Sequence, residues 1–146
     1  MTLRKRKAAP LPGWTGPVPE DLLNVGCIVD QYGYGSERHI YPVIDGRRFA
    51  YESRSLPYAE DYLWYHDYRI VAPLHPMAIV AAVRALPAGE VRTYFDTVLA
   101  ETGPPEPTMY GRVAPAFGQP GGAIQAVLPW SLDELVVLGL LEAVQR

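Results

Sequence analysis

The chain contains a single cysteine, Cys27, so no disulfide can close within it. Flanked by Val25 and Ile28, its thiol fits a small buried hydrophobe. A nucleophilic role would need an activating partner that the sequence does not supply. Histidine is also scarce, and His39, His66 and His75 show no paired metal-ligand spacing. No Gly-x-Ser-x-Gly elbow is present. "GYGS" at 33–36 lacks the later glycine and the following helix of a dinucleotide fingerprint. Long apolar runs are missing as well. Prolines break "AAPLPGWTGPVPEDLL", so the expectation is neither a signal peptide of the usual kind nor a membrane span. There are no internal repeats, and no pair of carboxylates can be placed together from spacing alone.

What is present fits one globular domain. The chain has 146 residues, 49% hydrophobic and 20% charged. Its 15 prolines, 13 glycines and 10 tyrosines favour turns and short strands over a helical bundle. Four of the 13 basic residues, Arg4, Lys5, Arg6 and Lys7, sit together near the start. Set aside, they leave nine basic residues against 16 acidic ones, a balance of −7. An acidic body argues against a nucleic-acid partner, and the basic cluster fits a solvated tail.

Residues 1–19 therefore read as a flexible, basic, Pro-rich segment, with a short helical turn starting at Pro19 or Glu20 and a domain over 20–146. Val25 to Asp30 has the pattern of a strand that ends at Gly33 and Gly35. Asp45-Gly46, between Ile40–Ile44 and Arg48–Tyr51, signals a hairpin. Tyr65 to Val71 alternates aromatic and β-branched residues, as a strand does. Helical spacing runs over Pro76–Leu86 and Val91–Glu101, with Gly103 as a stop. "IQAVLP" has the character of a buried strand. "SLDELVVLGLL" carries a Ser131/Glu134 capping box and Gly139 as a terminator, and "LLEAV" returns to the sheet. The sum is α+β, with a mostly antiparallel twisted sheet and a few short helices.

Several short motifs carry chemistry. Arg54 opens "RSLP", where Pro57 holds Leu56 extended; a guanidinium fixed there suits a pyrophosphate, or else it pairs with Glu52 or Glu60. His66 lies in an alternating strand that puts His66, Tyr68 and Ile70 on one face and Tyr65, Asp67 and Arg69 on the other. It is either a site residue or a satisfied strand histidine. Gly121 and Gly122 let backbone approach a ligand closely, and Gln125 comes next with an amide that suits a ribose diol or a carboxamide. The alternative for "GQPGG" is a plain loop.

Together, "VDQYG", "ESRSLP", "YHDYRIV", "VAPAFGQPGGAIQ" and "SLDELVVLGLL" resemble the tuberculosis necrotizing toxin family of NAD glycohydrolases. The order of that family's motifs is kept over residues 24–75 and 112–142. The resemblance implies a small fold related to ADP-ribosyltransferases, with 76–110 as a helical insertion that covers the cleft or binds a partner. It implies cleavage of NAD or NADP between nicotinamide and ribose, with no metal or further cofactor. By the same resemblance Gln125, His66 and Arg54 are the catalytic set. Gln31, Tyr32, Arg54, Phe117, Gly121 and Gly122 line the substrate.

The chain departs from the family at one of these positions. Gln31 stands where the family has an arginine, and a lost charge-assisted phosphate contact costs roughly 1.5–3 kcal/mol. That keeps a catalytically weak or silent NAD-binding module as an alternative to a glycohydrolase; the resemblance to the same broad superclass adds another, an ADP-ribosyltransferase of a macromolecular target. A toxin of this kind implies a cognate immunity protein, and delivery by a specialised secretion apparatus into a target-cell cytoplasm. Neither a nucleic-acid nor a membrane partner is expected.

Overall fold

The computed structural model describes residues 14–17, 23–57, 60–61 and 64–145. The basic cluster at 4–7 and the turn expected near Pro19 lie outside them. Seven strands form one sheet: β1 (Trp14–Pro17), β2 (Ile28–Tyr32), β3 (His39–Pro42), β4 (Tyr65–Ile70), β5 (Met109–Arg112), β6 (Ile124–Val127) and β7 (Leu141–Val144). Their order across the sheet is β1-β5-β6-β3-β2-β4-β7, and every pairing is antiparallel. Among the described residues three α-helices accompany the sheet: α1 (Pro76–Arg84), α2 (Glu90–Thr102) and α3 (Leu132–Val137). This is the α+β class expected from the sequence.

Side chains alternate across each strand, so the sheet has two chemically distinct faces. One carries Val29, Ile40, Tyr68, Ile70, Ala126 and Leu141. The helices pack there through Ile79 and Val83 of α1, Phe95 and Val98 of α2, and Leu132 and Leu135 of α3. Phe95 stacks on fully buried Trp130, with ring centroids 5.4 Å apart. The opposite face carries a small aromatic cluster of Tyr32, Tyr51 and Tyr65, with Leu56 against it.

Local signals explain most of the elements. The Ser131 hydroxyl accepts the Glu134 N–H, and the Glu134 carboxylate accepts the Ser131 N–H, completing the capping box. At the other end of α3, Gly139 adopts φ +76, and Leu140 donates to the Leu135 carbonyl in a Schellman closure. His75 caps α1, its Nδ1 accepting the Ala78 N–H, with Pro76 in the first turn. Arg92 of α2 donates to the Arg84 and Leu86 carbonyls and so closes the end of α1.

Several expectations need correction. Trp14–Pro17, expected in the tail, pairs with β5 as an edge strand. The Asp45-Gly46 turn forms, with φ +52 and +74, but only the Ile44–Arg47 bridge flanks it. Arg48–Tyr51 is no strand, because the chain turns into a 3-10 helix at Tyr51–Arg54 that carries Arg54 inward. β2 begins at Ile28 rather than Val25, since Gly26 at φ +94 ends any extended run before it. Within 76–110, α1 and α2 contribute Ile79, Val83, Phe95 and Val98 to the main core rather than to the cavity lining, and Met109–Tyr110 begin β5.

Candidate active site

The site lies on the face away from the helices. A cavity of about 410 Å³ opens there, within the size range of small-molecule sites. Its floor is the sheet: Tyr32 from β2, His39 and Tyr41 from β3, and Gln125 from β6. Arg54, Ser55, Leu56 and Pro57 form one wall, residues 113–117 the other, and Glu37 also lines it.

Register brings these residues together. β3 lies between β2 and β6, with Asp30 opposite Tyr41 and Ile40 opposite Ala126. Ile40 and Ala126 face the core, so their neighbours His39, Tyr41 and Gln125 face the cavity. The Gln125 Nε2 donates to the Tyr41 hydroxyl at 3.0 Å, which fixes the orientation of a buried amide.

Beneath the cavity runs a buried charged network. Arg54 is 2% exposed and meets Asp30 two-pronged, Nη1 at 2.7 Å and Nη2 at 3.1 Å. Nε and Nη2 also donate to the Phe49 carbonyl. The guanidinium carbon sits 4.5 Å from the Tyr41 ring centre and 5.0 Å from that of Tyr32. The Tyr65 hydroxyl donates to Asp30, and Arg48 reaches Tyr65 at 2.7 Å and Asp67 at 2.5 Å. Burial, with the Asp30 carboxylate beside it, pushes the Tyr65 phenol up to about 12 despite Arg48. Burial pulls the Arg48 value down, but the bonds to Asp67 and Tyr65 outweigh it and the net shift is upward. His39 is shifted below its ordinary value, by burial first and then by Arg38, so the cavity holds a neutral imidazole at pH 7.

Tyr32, Arg54, Phe117 and Gln125 of the expected set line this cavity. Gln31 and His66 do not. They are register partners on the core face, and Gln31 Nε2 donates to the Tyr34 carbonyl. The alternation of β4 places His66 with Tyr68 and Ile70, so the face turned to the site is that of Tyr65 and Asp67. Gly121 and Gly122 also lie outside the lining. A Cβ at Gly121 would come within 2.5 Å of the Val113 carbonyl oxygen, so that glycine clears room for the chain's own backbone rather than for a ligand. Gly121 and Ala123 donate to the carbonyls of Glu52 and Ser53, and Gly122 to that of Val113. The loop thereby docks both walls of the cavity together.

Arg54 needs a further correction. The two-pronged grip expected for a pyrophosphate is spent on Asp30, a partner the sequence spacing did not single out. Beside it, Ser55 sits at φ +48 with a buried hydroxyl that has no partner among the described residues. Phe117, at φ +53 and 67% exposed, stands with Gly118 at the tip of a two-residue turn closed by Ala116 and Gln119. Sequence reasoning missed His39, Tyr41, Asp30, Tyr65 and Glu37. The alternation in "HIYP" was the one signal for His39 and Tyr41; the others required the register.

Among solved structures, tuberculosis necrotizing toxin complexed with its immunity factor matches with a TM-score of 0.52 at 22% identity. The match covers 92% of this chain. The two share a fold. This chain spans 57% of the length of the toxin chain it matches. No family model matches the chain, and no curated protein does. Among the described residues no group of three or more His, Cys, Asp or Glu is placed to hold a metal ion, and no helix is long and apolar enough to cross a membrane.

Proposed function

We propose that the chain is a toxin domain that hydrolyses NAD(P), cutting the nicotinamide–ribose bond to release nicotinamide and ADP-ribose. One observation carries this reading. Gln125 and Arg54, from motifs 71 positions apart, meet on one small-molecule-sized cavity with Tyr32 and Phe117. The fold shared with a toxin supports it.

The nicotinamide of the substrate is already cationic and leaves with the bonding electrons, without needing a proton. The ribose left behind resembles an oxocarbenium ion, and water adds to it with release of one proton. The protein's part is to hold the dinucleotide bent and to place dipoles against the developing charge. With Nε2 tied to Tyr41, Gln125 offers Oε1 to the ribose hydroxyls. Tyr32 and Phe117 give aromatic walls. Arg54 acts from beneath, holding Tyr41 and Tyr32 in place.

Purified protein should release nicotinamide from NAD or NADP. Gln125→Ala should lower that rate by about 100-fold or more while melting at nearly the wild-type temperature. Undiminished hydrolysis by this variant would remove Gln125 from the reaction.

A second reading is a dinucleotide-binding module without turnover. It is favoured by the Arg54–Asp30 pair, because among the described lining residues no other arginine or lysine is present. Tight NAD binding with no nicotinamide release would select it. As a toxin, the protein would be paired in its producing cell with an immunity protein, as tuberculosis necrotizing toxin is complexed with its own. Delivery by a specialised secretion apparatus would carry it to a target-cell cytoplasm.

A further inference from the structure

Tyr41 and Gln125 line the cavity from adjacent strands, and Glu37, two residues before β3, lines it as well. Four positions separate Glu37 from Tyr41, a span of at most ~14 Å along the chain.

The Glu37 carboxylate is held in place. Its Oε1 accepts the Tyr34 N–H at 3.1 Å, and a Cβ at Gly33 would come within 2.7 Å of the same oxygen. Its backbone N–H donates to the Tyr34 carbonyl, and its carbonyl accepts the Leu132 N–H. Oε2 is not engaged in these bonds. Among the described lining residues Arg54 is the one arginine or lysine, and it is paired with Asp30; burial and the neighbouring Arg38, itself donating to the Pro129 carbonyl, hold His39 below its ordinary value.

Resting on the reading of the site as an NAD(P) glycohydrolase, we propose that Glu37 binds the ribose diol at the adenosine end and makes the enzyme selective for NAD over NADP. With the nicotinamide ribose at Gln125, the adenosine ribose reaches Glu37. A carboxylate accepts hydrogen bonds from two vicinal hydroxyls, and it repels a phosphate on the 2′ oxygen. The pyrophosphate between the two riboses meets the walls at 55–57 and 113–117; among the described lining residues the one guanidinium, Arg54, is already paired with Asp30, and Arg38 is turned to the Pro129 carbonyl, so that repulsion is felt at the Glu37 carboxylate.

The test measures NAD and NADP side by side. Nicotinamide release gives kcat/KM for wild type, Glu37→Gln and Glu37→Lys, and calorimetric titration of Gln125→Ala gives the two affinities without turnover. Wild type should favour NAD by ~10- to 100-fold, the range expected for losing a charge-assisted hydrogen bond. Glu37→Gln keeps an oxygen for the Tyr34 N–H and should bring the ratio toward one, and Glu37→Lys should invert it. Equal use of the two dinucleotides by wild type, or an unchanged ratio in Glu37→Gln, overturns the proposal. If wild type hydrolyses neither, the glycohydrolase reading fails. The titration still decides the Glu37 assignment: an NAD preference that Gln125→Ala/Glu37→Gln loses supports it, and equal or absent binding refutes it.

Discussion

Asp30 carries the most weight of any single residue near the cavity. It is 1% exposed and receives Arg54, Tyr65 and Arg48. A buried ion pair adds little net stability over an apolar pair, but removing one partner strands the other charge in a dry setting. Asp30→Asn should therefore cost about 3–5 kcal/mol in urea unfolding, and it should loosen the Tyr41 that orients Gln125. Tyr41→Phe is the gentler probe. It removes one hydroxyl, and the expected outcome is a kcat about tenfold lower with stability changed by about 1 kcal/mol. Tyr65 sets an alkaline limit. Its folded value near 12 lies above the usual phenol value, so its contribution is complete below pH 10 and is lost as pH rises toward 12. Unfolding midpoints at pH 9 and 11.5 should differ in wild type, and the gap should shrink but not close in Tyr65→Phe, because burial raises Tyr51 and Tyr68 as well. At this scale the sequence showed that Arg54 is special, since Pro57 stiffens the short segment that Arg54 opens. It did not show the partner, because Asp30 lies 24 positions away and meets Arg54 only through the fold.

Among the elements, those with complete local signals were the legible ones. α3 has its capping box and its glycine closure in consecutive sequence, and it forms where they direct. Ser131→Ala should cost about 1 kcal/mol of thermal stability by leaving the Glu134 N–H unpaired. The pair β1 and β5 was illegible for the opposite reason. These strands have four residues each, with a bulge in their pairing, and neither has a pattern of its own. The loop before β6 separates space from strain. Both of its paired glycines have positive φ, but only Gly121 would press a Cβ against backbone. Gly121→Ala should raise KM for the dinucleotide well beyond Gly122→Ala, since it displaces the 113–117 wall. Equal effects from the two would mean that only backbone conformation matters there.

For the whole molecule, the division of labour between the faces of the sheet decides what each change does. One face holds the helices and the main core, the other holds the cavity. Phe95→Ala, far from the ligand, should cost about 3–5 kcal/mol and leave the specific activity of the folded fraction intact. Acid acts through the cavity face. His39 is held below its ordinary value, so its neutral form favours the fold above about pH 6.5, and that contribution is lost as pH falls through the lowered value. His39→Gln should flatten the drop in melting temperature between pH 7 and 5, and an unaltered drop would assign it to other groups. At this scale, helical spacing in 76–110 identified α1 and α2, and only the fold showed that Ile79, Val83, Phe95 and Val98 pack into the main core. Periodicity reports that a helix has an apolar face, not which surface covers it.

The sequence by itself determined the class of fold, the helix ends and the motif residues Arg54 and Gln125. Each of these is written in near neighbours: alternation, caps, and prolines that restrict the residue before them. Only the tertiary structure decided which side of each strand became the site. In β4 the two faces were evident from alternation, yet choosing between His66 and the Tyr65–Asp67 pair required knowing where the helices pack. Strand order and register join residues by hydrogen bonds across the sheet, and their separation along the chain leaves no local trace.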